Sequence, residues 1–322
     1  MIKRRTFTLL VAAAAVATSM SIPASAEEYP SERLTYTIAF GPGGGNDRMS
    51  RTVVDILRKY DLYPGNIVVE NREGGSGAVG FSYVAGKAGD PYRLTSTSGN
   101  FIGTPLVADT DWTYADFTPI GLLASDAMLL VVRSDSDFGD VDAFVDAAKA
   151  GRVTIAGSGS AGPERVTASL FAQSAGIEFE YVPIGSGGEL VTALTSGSVD
   201  AVVANPSEVA GQLDAGTLKA LAFSDSARST NNPDVPTFME LGYDFSFSLP
   251  RGVVMPNDLD PAAQEWWIAT LKDVIETPEW QEYLAKNGMS GNPIWGEDFA
   301  TYLAATSAQY RDTLVKIGAI QE

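Results

Sequence analysis

Two glycine-rich turns hold the residues best placed for chemistry. The first is Phe40-Gly41-Pro42-Gly43-Gly44-Gly45-Asn46-Asp47. The second is Gly157-Ser158-Gly159-Ser160-Ala161-Gly162-Pro163, with Arg165 just beyond it. Neither sets a nucleophile beside a base. What each offers is backbone: a strand, a glycine turn and a helix in succession aim N–H groups and the positive end of a helix dipole at one point. Such a point holds an anion without a cationic side chain. Ser158 and Ser160 add hydroxyls that can donate to a carboxylate. Pro163 suits the first turn of a helix. Arg165 is placed either for a bidentate contact to an anion or for solvent.

Composition removes most competing chemistries. The 322-residue chain has neither histidine nor cysteine. Ser-His-Asp and Cys-His nucleophiles therefore cannot be assembled. Imidazole or thiolate zinc sites and disulfides are excluded as well. Without a Ser-x-x-Lys sequence, a Ser-Lys hydrolase loses its signature. A dinucleotide fingerprint needs Gly-x-Gly-x-x-Gly, yet Asn46 stands where the third glycine belongs, and no Gly-Lys-Ser/Thr supports a P-loop. The Asp135–Asp140 run lacks the EF-hand order, and Asp140 fits better as a helix N-cap. A binding role with no cofactor and no metal is expected, and no catalysis. Asn46 and Asp47 serve either as helix caps or as ligand contacts. An ionised Asp47 would repel an anion.

Forty acidic residues against 22 basic ones give a net charge of −18. That balance argues against nucleic acid or an anionic membrane as partner. Residues 1–26 carry a basic start at Lys3, Arg4 and Arg5, an apolar stretch and Ala24-Ser25-Ala26, the pattern of a cleaved export signal. Arg4-Arg5 leaves both the Sec and the twin-arginine route open. The expected product is soluble and periplasmic, and a monomer is the default for a shuttle.

The turns must be positioned by alternating strands and helices, the pattern of an α/β protein with mainly parallel sheets. The periodicity predicts strands over 34–40, 66–70, 92–96, 127–132, 152–156, 179–182, 199–203, 218–223 and 251–255. Helices are predicted over 47–60, 77–87, 140–150, 163–175, 187–197, 206–215, 261–276, 278–288 and 297–317. Punctuation at 133–140 and 241–251 divides the chain into lobe 1, 27–132 plus 250–322, and lobe 2, 133–249. Two crossings of this kind suit bending about a cleft. Arg251 closes the second crossing, where it serves either structural pairing or ligand contact.

Phe40-Gly-Pro-Gly-Gly-Gly-Asn-Asp47 followed by Val68-Val-Glu-Asn-Arg-Glu-Gly-Gly-Ser-Gly-Ala-Val-Gly80 resembles the substrate-binding receptors of tripartite tricarboxylate transporters, the Bug family. Asp116-Phe-Thr-Pro-Ile120, Tyr181-Val-Pro183, Leu194-Thr-Ser-Gly-Ser-Val-Asp200 and Asp234-Val-Pro-Thr237 extend the resemblance along the chain. It implies a two-lobe, type II-like periplasmic binding protein closing on a small organic carboxylate, with di- and tricarboxylates favoured. It implies that Phe40, Pro42, Gly43, Gly44, Gly45 and Asn46, with Ser158, Gly159, Ser160 and Ala161, grip one carboxylate through N–H groups and water. Ser98, Asn100 and Asn205 would line the cleft. Pro163-Glu164-Arg165 and Ser248-Leu249-Pro250-Arg251 depart from the usual pattern, which makes Arg165 and Arg251 candidates for a second carboxylate. The implied partner is a two-component membrane permease. The alternative is a carboxylate sensor that presents its closed form to a signalling partner.

Overall fold

A computed structural model of the chain describes residues 29–158, 162–184, 187–229, 231–316 and 318–321. The proposed export signal lies outside the described residues. In chain order the first part runs β1 (Leu34–Ile38), α1 (Gly45–Lys59), β2 (Ile67–Asn71), α2 (Ala78–Ala85), β3 (Arg93–Ser96), α3 (Gly99–Val107) and β4 (Phe117–Ala127). The second part runs β5 (Leu129–Arg133), α4 (Val141–Ala150), β6 (Thr154–Ser158), α5 (Pro163–Ala175), β7 (Glu180–Ile184), α6 (Gly187–Thr195), β8 (Ala201–Ala204), α7 (Pro206–Asp214) and β9 (Leu218–Phe223). The chain then returns through β10 (Ser248–Pro256), α8 (Pro261–Ile275), α9 (Pro278–Asn287), β11 (Ile294–Trp295) and α10 (Gly296–Lys316). Among the described residues, no helix is long and apolar enough to cross a membrane.

Two sheets result, in the orders β11-β4-β10-β3-β1-β2 and β7-β6-β8-β5-β9. The α/β, two-lobe expectation holds, but the strand directions are mixed. β2-β1-β3 and β7-β6-β8 are parallel, as predicted for strands joined by crossover helices. β4, β10, β11, β5 and β9 enter antiparallel pairings. The reason is the route between sheets: β4 passes into β5 through Met128 alone, with no helix to reverse the chain. β5 therefore belongs to the second sheet.

The crossings are tied together. Ser224 is fully buried, its Oγ accepts from the Met128 N–H at 2.8 Å, and it donates to the Phe247 carbonyl at 2.6 Å. Next to this clasp, β10 pairs with β4 from Ser248 opposite Ala127 to Pro256 opposite Phe117. One apolar core runs from Phe81, Phe101 and Trp112 through Phe247, Leu249 and Tyr310 to Phe171 and Phe238. A second fills the space between the first sheet and α1, α8 and α9, around Val53, Leu57, Trp267 and Trp280. A third covers the other face of the second sheet, around Leu190, Leu194 and Val209.

Between these apolar masses lies a buried ion pair. Arg251 of β10 donates through Nε at 3.1 Å and Nη2 at 2.6 Å to Oδ2 of Asp126 on β4, and the residues are 6 % and 2 % exposed. Burial opposes the charged guanidinium, yet the Asp126 carboxylate holds its pKa above the ordinary value. Asp126→Ala leaves that charge buried without its ion-pair partner and is expected to cost roughly 3–5 kcal/mol. Replacing both partners together by apolar residues of similar volume should recover most of that loss. Urea unfolding of the single and double variants measures both. A single variant as stable as the parent would show that the pair is not desolvated.

Candidate functional site

Four strand-to-helix junctions meet at one cavity of about 290 Å³. Beyond β1, the lining is Phe40, Gly44, Gly45 and Asn46; beyond β3, it is Ser98, Gly99 and Asn100. From the second sheet come Pro163 and Glu164 after β6, and Asn205 and Glu208 after β8. Leu249 and Arg251 of β10 complete it. All four junctions lie at carboxyl ends of parallel strands, where open α/β sheets bind ligands. The first N–H groups of each helix have no partner within that helix.

The first turn is held open by its own side chains. Gly43 has φ of +85°, a conformation that favours glycine. Its N–H donates to Oδ2 of Asp47 at 2.9 Å. Oδ1 of Asp47 accepts from Arg51 Nε and Asn71 Nδ2, both at 2.9 Å, and Asn71 also donates to the Phe40 carbonyl at 2.8 Å. Asp47 is thus a structural clamp on the turn. Gly44 is the N-cap of α1 and Gly45 its first residue. A Cβ at Gly45 would stand 3.1 Å from Nη2 of Arg251, so the helix start sits directly against the buried guanidinium.

Asn46 points the other way. Its Nδ2 donates to the carbonyls of Thr97 at 3.0 Å and Ser96 at 3.4 Å, which fixes the amide's orientation. Oδ1 is buried without a hydrogen-bond partner among the described residues. Ser98 caps α3, its Oγ accepting from the Phe101 N–H at 3.3 Å. Thr97 ties this junction to β10: its Oγ1 donates to the Pro250 carbonyl at 3.0 Å and accepts from the Gly252 N–H at 2.8 Å. Asn205 caps α7, and its N–H donates to Oε2 of Glu208 at 3.3 Å. Nδ2 of Asn205 is buried and unpartnered among the described residues.

Phe40, Gly44, Gly45, Asn46, Ser98, Asn100, Asn205 and Arg251 are thus brought to one cavity. Pro42 and Gly43 are exposed and do not line it; Gly43 gives its N–H to Asp47 instead. Ser158 ends β6, and Gly159, Ser160 and Ala161 lie outside the described residues. Arg165 is turned away. Its guanidinium lies 4.5 Å from the Tyr181 ring centroid, in a separate recess with Ser169 and Lys316. Helix geometry explains the divergence: Glu164 and Arg165 are successive residues and project about 100° apart, so only one can face the cavity. Arg251 reaches the cavity, but two of its nitrogens are committed to Asp126.

Sequence reasoning missed Glu164, Glu208 and Asp126. Glu208 had a legible signal, since Asn205-Pro206-Ser207-Glu208 has the spacing of a capping box. Asp126 had none: it sits in a strand whose partner is 125 residues away. Burial pushes the Glu208 carboxyl above its usual range. The Asn205 N–H, Arg251 and Arg48 oppose that shift, and Asp126 adds to it.

Burial alone would raise Asp47, but hydrogen bonds from Asn71, the Gly43 N–H and Arg51 hold its carboxyl below the usual value. A carboxyl depressed on folding adds stability above its unfolded pKa, and this contribution is lost as pH falls through the folded value. Asp47→Asn is therefore expected to be less stable than the parent near neutral pH. The gap should close as pH drops below about 4. Urea unfolding across that range reads the gap, and one that stays constant into acid would remove the charge from the clamp.

Comparison with known proteins places the chain. Residues 50–318 match the model of the tripartite tricarboxylate transporter family receptor, TctC. Protein BugT of Bordetella pertussis is 30% identical over 249 residues, 75% of this chain and 76% of its own. A TctC solute binding protein from Polaromonas superposes with a TM-score of 0.78 at 25% identity, over 89% of this chain and 99% of that one. Rpa4515 of R. palustris, solved with adipate, gives 0.80 at 21% identity, over 90% and 98%. With two mixed sheets, four helix starts around one cavity and a family match over most of its length, the chain belongs to the tripartite tricarboxylate transporter receptor family.

Proposed function

We propose that the protein is the periplasmic receptor of a tripartite tricarboxylate-type transporter. It captures a small organic carboxylate between its lobes and hands it to a two-component membrane permease. The observation that carries this reading is the convergence of four helix N-termini on one cavity. Each adds partial positive charge, so a carboxylate is favoured by backbone dipoles inside a strongly acidic chain. The adipate bound by Rpa4515 supports the ligand class.

In this reading the lobes divide at Met128 and near Ser248, and the strands β4–β5 and β10 form the bending region. The export signal over 1–26 delivers a monomer to the periplasm. Ligand contacts to both lobes favour the closed arrangement, and the shift equals the ligand's differential affinity for it.

Thermal unfolding of the purified mature chain against mono-, di- and tricarboxylates tests the reading. A ligand at about 100 times its Kd adds roughly 2.7 kcal/mol, a shift of several degrees. No shift with any carboxylate would overturn the assignment. Gly44→Asp tests the site itself. A Cβ there meets only the Gly41 carbonyl oxygen, at 3.8 Å, and φ is −72°, so the side chain fits without strain. Aspartate is also a favoured N-cap, so the variant should be as stable as the parent while losing carboxylate binding. A stable Gly44→Asp chain that binds normally would exclude the first turn.

A further inference from the structure

Arg165 is a cation that the carboxylate cavity does not use. It lines a separate recess of about 510 Å³ with Ser169 of α5, Tyr181 of β7, and Thr313 and Lys316 of α10. α5 and β7 flank and build the second sheet, whereas α10 packs on β4 of the first. The recess therefore lies on the seam where α5 meets α10.

The structure holds Arg165 in this seam without neutralising it. Its guanidinium lies over the Tyr181 ring, 4.5 Å from the centroid. Such a contact uses the face of the group and leaves its edge, where the five N–H donors lie. Nε is buried with no hydrogen-bond partner among the described residues. Ser169, four residues on, falls on the same face of the helix. It is 3 % exposed, and its Oγ is likewise buried and unpartnered among the described residues. Buried donors left unmet carry their full desolvation cost. An acceptor in the recess would remove it.

The charge balance of the recess has the matching sign. Lys316 is exposed, and no ion pair among the described residues involves it or Arg165. Glu178 also lines the recess, but it is exposed and shared with a neighbouring recess around Arg152. Two cations against one carboxylate leave a net positive seam in a chain of charge −18. Thr313 adds no donor, because its Oγ1 donates to the Gln309 carbonyl at 2.8 Å.

We propose that this recess is a second anion site, outside the cavity, for a small oxyanion of the phosphate type. Arg165, Ser169 and Lys316 supply three separate donor groups, which suit an anion with more than two oxygens. An anion held by all three bridges α5 to α10. It therefore favours the arrangement in which these helices are packed, by its differential affinity for it.

Thermal unfolding of the purified chain with inorganic phosphate, exchanged for chloride at constant ionic strength, tests the inference. Phosphate at about 100 times its Kd should raise the parent's Tm by several degrees, saturably. Arg165→Gln and Lys316→Gln should each weaken phosphate about tenfold or more, the worth of one charge-assisted hydrogen bond. Ser169→Ala should weaken it less. Gly44→Asp should keep the rise, because Gly44 lines the carboxylate cavity and not the recess. General salting-out by phosphate would raise every variant as much as the parent. No rise in the parent, or a rise that survives either charge substitution, overturns the site. A rise lost only in Gly44→Asp puts the anion in the carboxylate cavity, which overturns the second site and leaves the receptor reading intact.

Discussion

The contact between Arg251 and Asp126 sets the geometry around which the two lobes are arranged. It joins the strand that leaves the first sheet to the strand that returns, within a few residues of the Ser224 clasp. Two buried charges at a crossing restrict how the strands can slide, because any register other than the native one separates them in a low-dielectric interior. The same guanidinium lies against the start of α1, close enough that a Cβ at Gly45 would stand 3.1 Å from Nη2. The position of the first helix end, the register of β10 on β4 and the floor of the cavity are thus set by one interaction.

Around that pair the molecule repeats itself without a repeat in its sequence. β2-β1-β3 followed by antiparallel β10 has the same order and directions as β7-β6-β8 followed by antiparallel β5. Each unit ends two parallel strands in helices whose N-termini face inward. Parallel strands with right-handed crossovers give little choice in where those helix ends lie. The duplication therefore explains why four junctions meet at one cavity, while the residues at the junctions are free to differ. Glycine, serine and asparagine occupy one side; proline, glutamate and Asn205 occupy the other.

What the sequence disclosed follows the range over which each signal acts. Most strands and helices were legible to within a few residues, because an amphipathic period or a local cap announces them. β4 was not, because Pro119 and Gly121 interrupt it and it forms only when β10 and β11 supply the pairing. α3 carries two glycines and Pro105; a Ser98 cap and burial of Phe101 and Ile102 hold it in place. The glycine turn was visible as chemistry, since Phe40 to Asn46 is contiguous. Its division of labour was not: that Gly43 serves Asp47 while Gly44 and Gly45 face the cavity depends on Asn71 and Arg51. The roles of Arg165 and Arg251 were likewise undecidable, because a lone arginine carries no mark of the partner it will find across the fold.

The net charge of −18 then takes on a definite meaning. A uniform acidic field would repel a carboxylate, but surface charges beyond about 8–10 Å are largely screened at physiological salt. What the ligand meets inside the cavity is set by dipoles within a few ångströms, and the closest of these on the first-sheet side are helix ends. Such dipoles cannot be neutralised by a counterion or withdrawn by a rotamer change, because they belong to the backbone. An acidic chain whose lining arginine is committed to Asp126 can therefore still present helix ends suited to an anion.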